Sequence, residues 1–83
     1  MGLKTSEQLR QARAALGLTQ SEVAALSGVS VPTMKRLEGG TGTLSVRLET
    51  LSNIESALET QGIQFLENGD VANGFGVAIK RAE

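Results

Sequence analysis

The feature that most constrains this chain is its punctuation. A capping box, an apolar repeat and a glycine stop occur twice within the first thirty residues. In Thr5-Ser6-Glu7-Gln8 the Thr5 hydroxyl is spaced to accept from the Gln8 amide, while the Gln8 side chain reaches back. Leu9, Ala12 and Leu16 then recur at helical spacing, and Gly17 supplies a stop. The spacing predicts a helix over about 6–16. Thr19-Gln20-Ser21-Glu22 repeats the device, with Leu18 and Val23 at the positions of a hydrophobic staple. This second helix, over about 19–27, ends at Gly28, which can turn the chain sharply. Ser30 is a good N-cap and Pro32 falls in the first turn, where a missing N–H costs least. Met34 and Leu37 point inward, Val29 plugs the turn, and Gly39-Gly40 close a third helix over about 30–38. After a loop from Thr41 to Leu44, the residues Leu44, Leu48, Leu51, Ile54 and Leu58 mark one apolar face. They predict a fourth helix over about 45–60, ended by Gly62, with Leu48, Leu51, Ile54 and Leu58 in the core, unless two of the core residues serve a dimer face instead.

Beyond Gly62 the apolar period changes from helical to two. Ile63 and Phe65 share one strand face, and Phe75, Val77 and Ile79 share another. Asn68-Gly69-Asp70 and Asn73-Gly74 between them are turn formers. The expectation is a β-hairpin pairing Ile63–Leu66 with Phe75–Lys80. Two strands are marginal alone, so the hairpin must pack on the helices or on another chain. Phe65, Phe75, Val77 and Ile79 are therefore the candidate dimerisation residues. The fold class expected is mostly α: four helices in residues 1–61, with a short C-terminal β-hairpin extension in residues 62–83.

Eighty-three residues make one domain with a modest buried core. The chain has no cysteine and no histidine. A disulfide framework and a thiolate metal site are thereby excluded, and zinc would have to be held by carboxylates alone. The commonest general base and the best neutral-pH nucleophile are missing too, so no catalytic residue is assigned. No glycine-rich stretch has phosphate-cradling spacing between a strand and a helix, so no nucleotide cofactor is expected. Met1–Ser6 lacks the apolar core of a signal peptide, and no stretch approaches a membrane span. The expectation is a soluble cytoplasmic protein with no membrane partner.

The net charge is −1, but its distribution is uneven. From Met1 to Arg47 six basic residues face three acidic ones, giving +3; from Leu48 onward two basic residues face six acidic ones, giving −4. A basic region can attract phosphates even when the total charge does not.

Two short helices, a tight turn at Gly28 and a third helix with a polar outer face form a helix-turn-helix pattern. The match extends to individual residues. Leu16-Gly17-Leu18-Thr19-Gln20-Ser21-Glu22-Val23-Ala24, then Ser27-Gly28-Val29-Ser30, then Arg36-Leu37-Glu38-Gly39-Gly40, resemble the Xre/Cro family of phage-repressor-like DNA-binding domains. The resemblance covers about Leu9 to Leu58. The tail, Gly62-Ile63-Gln64-Phe65-Leu66 with Gly74-Phe75-Gly76-Val77, looks like an extension found in a bacterial subset of that family.

The resemblance implies a role for each matching position. Val31, Pro32, Lys35 and Arg36 fall where the family reads bases, with Thr33 between them. Well-known repressors often carry polar residues where this chain has Val31 and Pro32. Val31 suits a thymine methyl, and polar readout falls on Arg36, which matches guanine O6 and N7, with Lys35 beside it. Gln20 is expected to touch a phosphate from the start of the second helix and to brace the third. Ser21, Ser30, Thr41, Thr43 and Arg47 are the other candidate phosphate contacts, which position without specifying. The resemblance also pairs Arg13 with Glu38 in a structural salt bridge. Arg10 reads as a solvated helix charge.

Two functions are compatible with this sequence. The first is a sequence-specific DNA-binding regulator, a repressor or autoregulator acting as a homodimer on a palindromic operator in double-stranded DNA, without a small-molecule ligand. The second is a protein-interaction module of the same fold, an antitoxin or anti-activator, whose acidic second half would hold a basic partner.

Overall fold

The computed structural model describes residues 2–66 and 71–72. Four helices run in order: α1 (Ser6–Leu16), α2 (Gln20–Ser27), α3 (Val31–Gly39) and α4 (Leu48–Thr60). Two short strands, β1 (Gln64–Phe65) and β2 (Val71–Ala72), come after them. Both capping boxes form: Thr5 and Thr19 accept from the amides of Gln8 and Glu22, and those side chains return to the caps. Gly17 and Gly28 end α1 and α2 at φ of 69° and 68°, the left-handed region where a Cβ is strained. The Ser30 hydroxyl caps α3 by accepting from Thr33.

α2 packs on both α3 and α4, and α1 packs on α3. The core between them is built from Leu9, Ala12, Val23, Ala24, Met34, Leu37, Ile54 and Leu58, joined by Leu3, Leu44 and Ile63 from outside the helices.

Three expectations need correction. The fourth helix begins at Leu48 rather than near residue 45. The chain before it is held extended: the Leu44 amide donates to the Lys4 carbonyl at 2.8 Å, and Thr43 bridges Thr5. Arg47 becomes the N-cap, with no side-chain hydrogen bond. Leu48 is not core but 70% exposed. At about 100° per residue it stands about 120° from buried Ile54, whereas Leu51 and Leu58 fall within about 60°. Lastly, β1 pairs antiparallel with residues 71–72, Phe65 opposite Val71, so its partner strand begins earlier than the expected Phe75. The short connection closes at a smaller entropic cost, and both Phe65 and Val71 pack partly buried on the core. The expected strand Phe75–Lys80, with Phe75, Val77 and Ile79, lies outside the described residues.

One buried carboxylate ties three helices together. Glu38 on α3 is 3% exposed. Arg13 of α1 donates to it through Nε, at 3.0 and 2.8 Å from its two oxygens. The Gln20 side-chain amide, at the start of α2, donates to the same carboxylate at 3.2 Å. Arg13 Nη1 also donates to the Leu18 carbonyl in the α1–α2 turn.

A second set of bonds holds the N-terminal arm and the α3–α4 connection against α1. The Gln8 side chain accepts from the amides of Lys4 and Thr5 and donates to the Gly2 carbonyl. Glu55 of α4 accepts from the Gly2 and Leu3 amides, both at 2.8 Å. In the connection, Gly42 turns at φ 73°. Its carbonyl accepts from the Ser6 amide, and its N–H donates to the Glu7 carboxylate at 3.0 and 3.3 Å. Hydrogen bonds from Glu7's own amide and from Gly42, with a lesser contribution from the Arg10 charge, hold the Glu7 carboxyl below its ordinary value of 4.5.

Two outcomes are expected. Arg13→Ala leaves Glu38 buried with Gln20 alone, and urea denaturation should show a loss of about 3 kcal/mol; a loss below about 1 kcal/mol would contradict the role given to the pair. For Glu7 the folded state favours the charged form. Its contribution is therefore complete above the ordinary carboxyl value and lost as pH falls through the lowered one. The stability gap between the wild-type chain and Glu7→Gln should be flat near neutrality and close on acidification below 4.5. A gap unchanged by acid would contradict it.

Candidate nucleic-acid interface

The interface is built on α3, whose two faces are made by its sequence. Met34, Leu37 and Glu38 are buried, while Pro32, Lys35 and Arg36 are exposed and Val31 and Thr33 half-buried. The helix is fixed at both ends. Ser30 caps its start and also donates to the Thr33 hydroxyl at 2.8 Å. At its end the last carbonyls lack intrahelical donors. The Ser6 hydroxyl donates to that of Leu37 at 2.8 Å. Arg10 Nη1 donates to those of Glu38 and Gly40.

Arg10 is therefore not a merely solvated charge: its guanidinium closes the C-terminus of α3, where a cation is favoured by the helix dipole. It also lies 3.8 Å from Glu7. Sequence reasoning missed Ser6, Glu7 and Arg10 as supports of α3 and its adjoining loop. The available signal was spacing, since Ser6, Arg10 and Arg13 recur at i, i+4 and i+7 along one side of α1.

The candidate base and phosphate residues fall in three groups. The first is the outer face of α3, with Val31, Pro32, Thr33, Lys35 and Arg36. The second is the start of α2. Gln20 is half-buried with its side-chain amide turned onto Glu38, Ser21 beside it is exposed, and the first-turn amides there have no intrahelical acceptor. The third is the α3–α4 connection, where Thr41, Thr43 and the N-cap Arg47 are all exposed. Ser30 is exposed at the junction of α2 and α3. Arg36 Nη1 makes a long contact of 3.5 Å with the Ser45 carbonyl of that connection. Phe65 is set apart from these groups: it is half-buried on the core, close against Gly2, where an added Cβ would lie 2.6 Å from its own Cβ.

Among the described residues no helix is long and apolar enough to cross a membrane. No curated protein and no solved structure matches the chain. A family model described as a helix-turn-helix domain matches residues 6–67, more than half of the chain and all four helices. With α2 and α3 joined through a left-handed glycine and α3 presenting a polar outer face, the chain belongs to the helix-turn-helix domain family, the fold of DNA-binding regulators.

Proposed function

We propose that this chain is a sequence-specific regulator of transcription that inserts α3 into the major groove of double-stranded DNA. It acts as a homodimer on a palindromic operator, as a repressor or autoregulator in the cytoplasm. The observation that carries this reading is the division of α3. One face is locked inward by Met34, Leu37 and the Glu38 bonds, and the opposite face offers Lys35 and Arg36 with no acidic residue in the helix's outer rows. A major groove about 12 Å wide admits one helix. The start of α2 and the α3–α4 connection flank α3, where they would meet the sugar-phosphate walls.

The size of the reader argues for a dimer. A helix of nine residues touches few base pairs. Two copies related by a two-fold axis double the readout, with half-sites ~34–36 Å apart. The low total charge leaves non-specific attraction weak, so a geometric match to a site carries more of the affinity.

Fluorescence anisotropy on a duplex recovered by random-site selection tests the reading. Two chains should bind per duplex, and affinity should fall about a hundredfold or more between 50 and 200 mM salt as counterions are released. An affinity insensitive to salt, or a selection that enriches no duplex, would contradict it and favour a protein partner for the acidic second half.

A further inference from the structure

The outer face of α3 has two flanks that do different chemistry. At about 100° per residue, Thr33 and Arg36 stand within about 60° of each other, Val31 and Lys35 stand within about 40° on the other side, and Pro32 lies between Arg36 and Lys35. The Thr33–Arg36 flank faces the start of α4. There Ser30, Thr33 and Arg36 share a cleft of about 410 Å³ with Arg47 and Thr50. No carboxylate lines the cleft, and neither arginine forms an ion pair among the described residues. The contact with the Ser45 carbonyl draws the Arg36 guanidinium toward the α3–α4 connection. A smaller cleft on the same side is lined by Arg36 with Thr41 and Thr43. The Thr33 hydroxyl already accepts from Ser30, which leaves its own proton to donate.

Two uncompensated guanidinium groups and a free hydroxyl proton at one recess suit the several oxygens of a single phosphate. We infer that Arg36 and Arg47 together clasp one phosphodiester of the DNA backbone, with Thr33 completing the donors. Arg36 thus fixes register, and base reading passes to the opposite flank, to Lys35 with Val31. This assignment rests on the DNA-binding reading above and moves Arg36 from the role that its position alone suggests.

The full-length chain carries the test, with Arg36→Ala, Arg47→Ala and Lys35→Ala. All three positions are exposed, and circular dichroism melts confirm that each variant folds. Arg36→Ala and Arg47→Ala should weaken every duplex by a similar factor. Each should flatten the slope of log K against log salt by about 0.9 per phosphate contact removed. Random-site selection should return the same base preferences for both, whereas Lys35→Ala should alter them. An Arg36→Ala chain that relaxes preference for one guanine per half-site, with Arg47→Ala leaving preferences intact, would overturn the clasp. A second arm separates a backbone phosphodiester from a free anion. Inorganic phosphate is titrated while the arginine Nε–Hε resonances are followed by NMR. Should the wild-type chain bind no duplex, the regulator reading falls, and this arm judges the cleft alone. Shifts at both arginines, lost in either variant, support it; no shift overturns it.

Discussion

The structure depends on a carboxylate that water does not reach. Glu38 lies in the one helix that must be held outward, and its partners lie in the two helices before it. Burying an unpaired charge is costly, so only arrangements that bring both Arg13 and Gln20 to Glu38 are tolerated. Apolar contacts are not directional, so Met34 and Leu37 alone would leave α3 some freedom to roll about its axis. A two-oxygen acceptor facing a guanidinium and an amide permits no such roll. The rotation of α3, and hence which of its residues face solvent, is set from the inside. Gln20 serves both sides of this arrangement: its side chain closes the inner network while its helix position keeps free amides at the start of α2.

A second constraint acts on the connection between α3 and α4. The C-terminal carbonyls of α3 and the backbone of Gly42 and Leu44 find their partners in Lys4, Ser6, Glu7 and Arg10. The loop bearing Thr41 and Thr43 is therefore an extension of the start of α1 rather than a free tether. The acidic second half of the chain also has structural work. Glu55 accepts from the two N-terminal amides and holds the arm over the core. Part of the negative charge that suggested a basic protein partner is engaged within the fold.

Local chemistry decided what was legible in the sequence. Thr5 with Gln8, Thr19 with Glu22, Ser30 with Thr33, and the glycines at 17 and 28 each act within a few residues, and they place three helices within a residue or two. The start of α4 was not legible, because Lys4 and Thr5 hold the backbone of Leu44 and Thr43 extended. Leu48 fits the apolar row of α4 at i−3 from Leu51 but has turned too far from Ile54 to be covered. The partner of β1 depends on how a short connection closes, which turn-forming residues alone do not rank. Arg10 could be assigned only once α3's end was in place beside it. The start of α4 and the role of Arg10 both involve partners far apart in sequence. The candidate site was legible in its residue types, because the outer face of α3 follows from helical period and capping. Its division into two flanks was not, because that depends on where Arg47 sits.

On the proposed function, one surface made of α3, the start of α2 and the α3–α4 connection meets DNA. Amide chemical shifts of the full-length chain on adding a selected duplex test it most directly. The changes should map to Gln20, Ser21, Ser30–Arg36, Thr41–Thr43 and Arg47. The cleft between the end of α2 and α4, at Ala25–Gly28 and Asn53–Gln61, should stay unmoved. Changes confined to that α2–α4 cleft, with the α3 face silent, would contradict it.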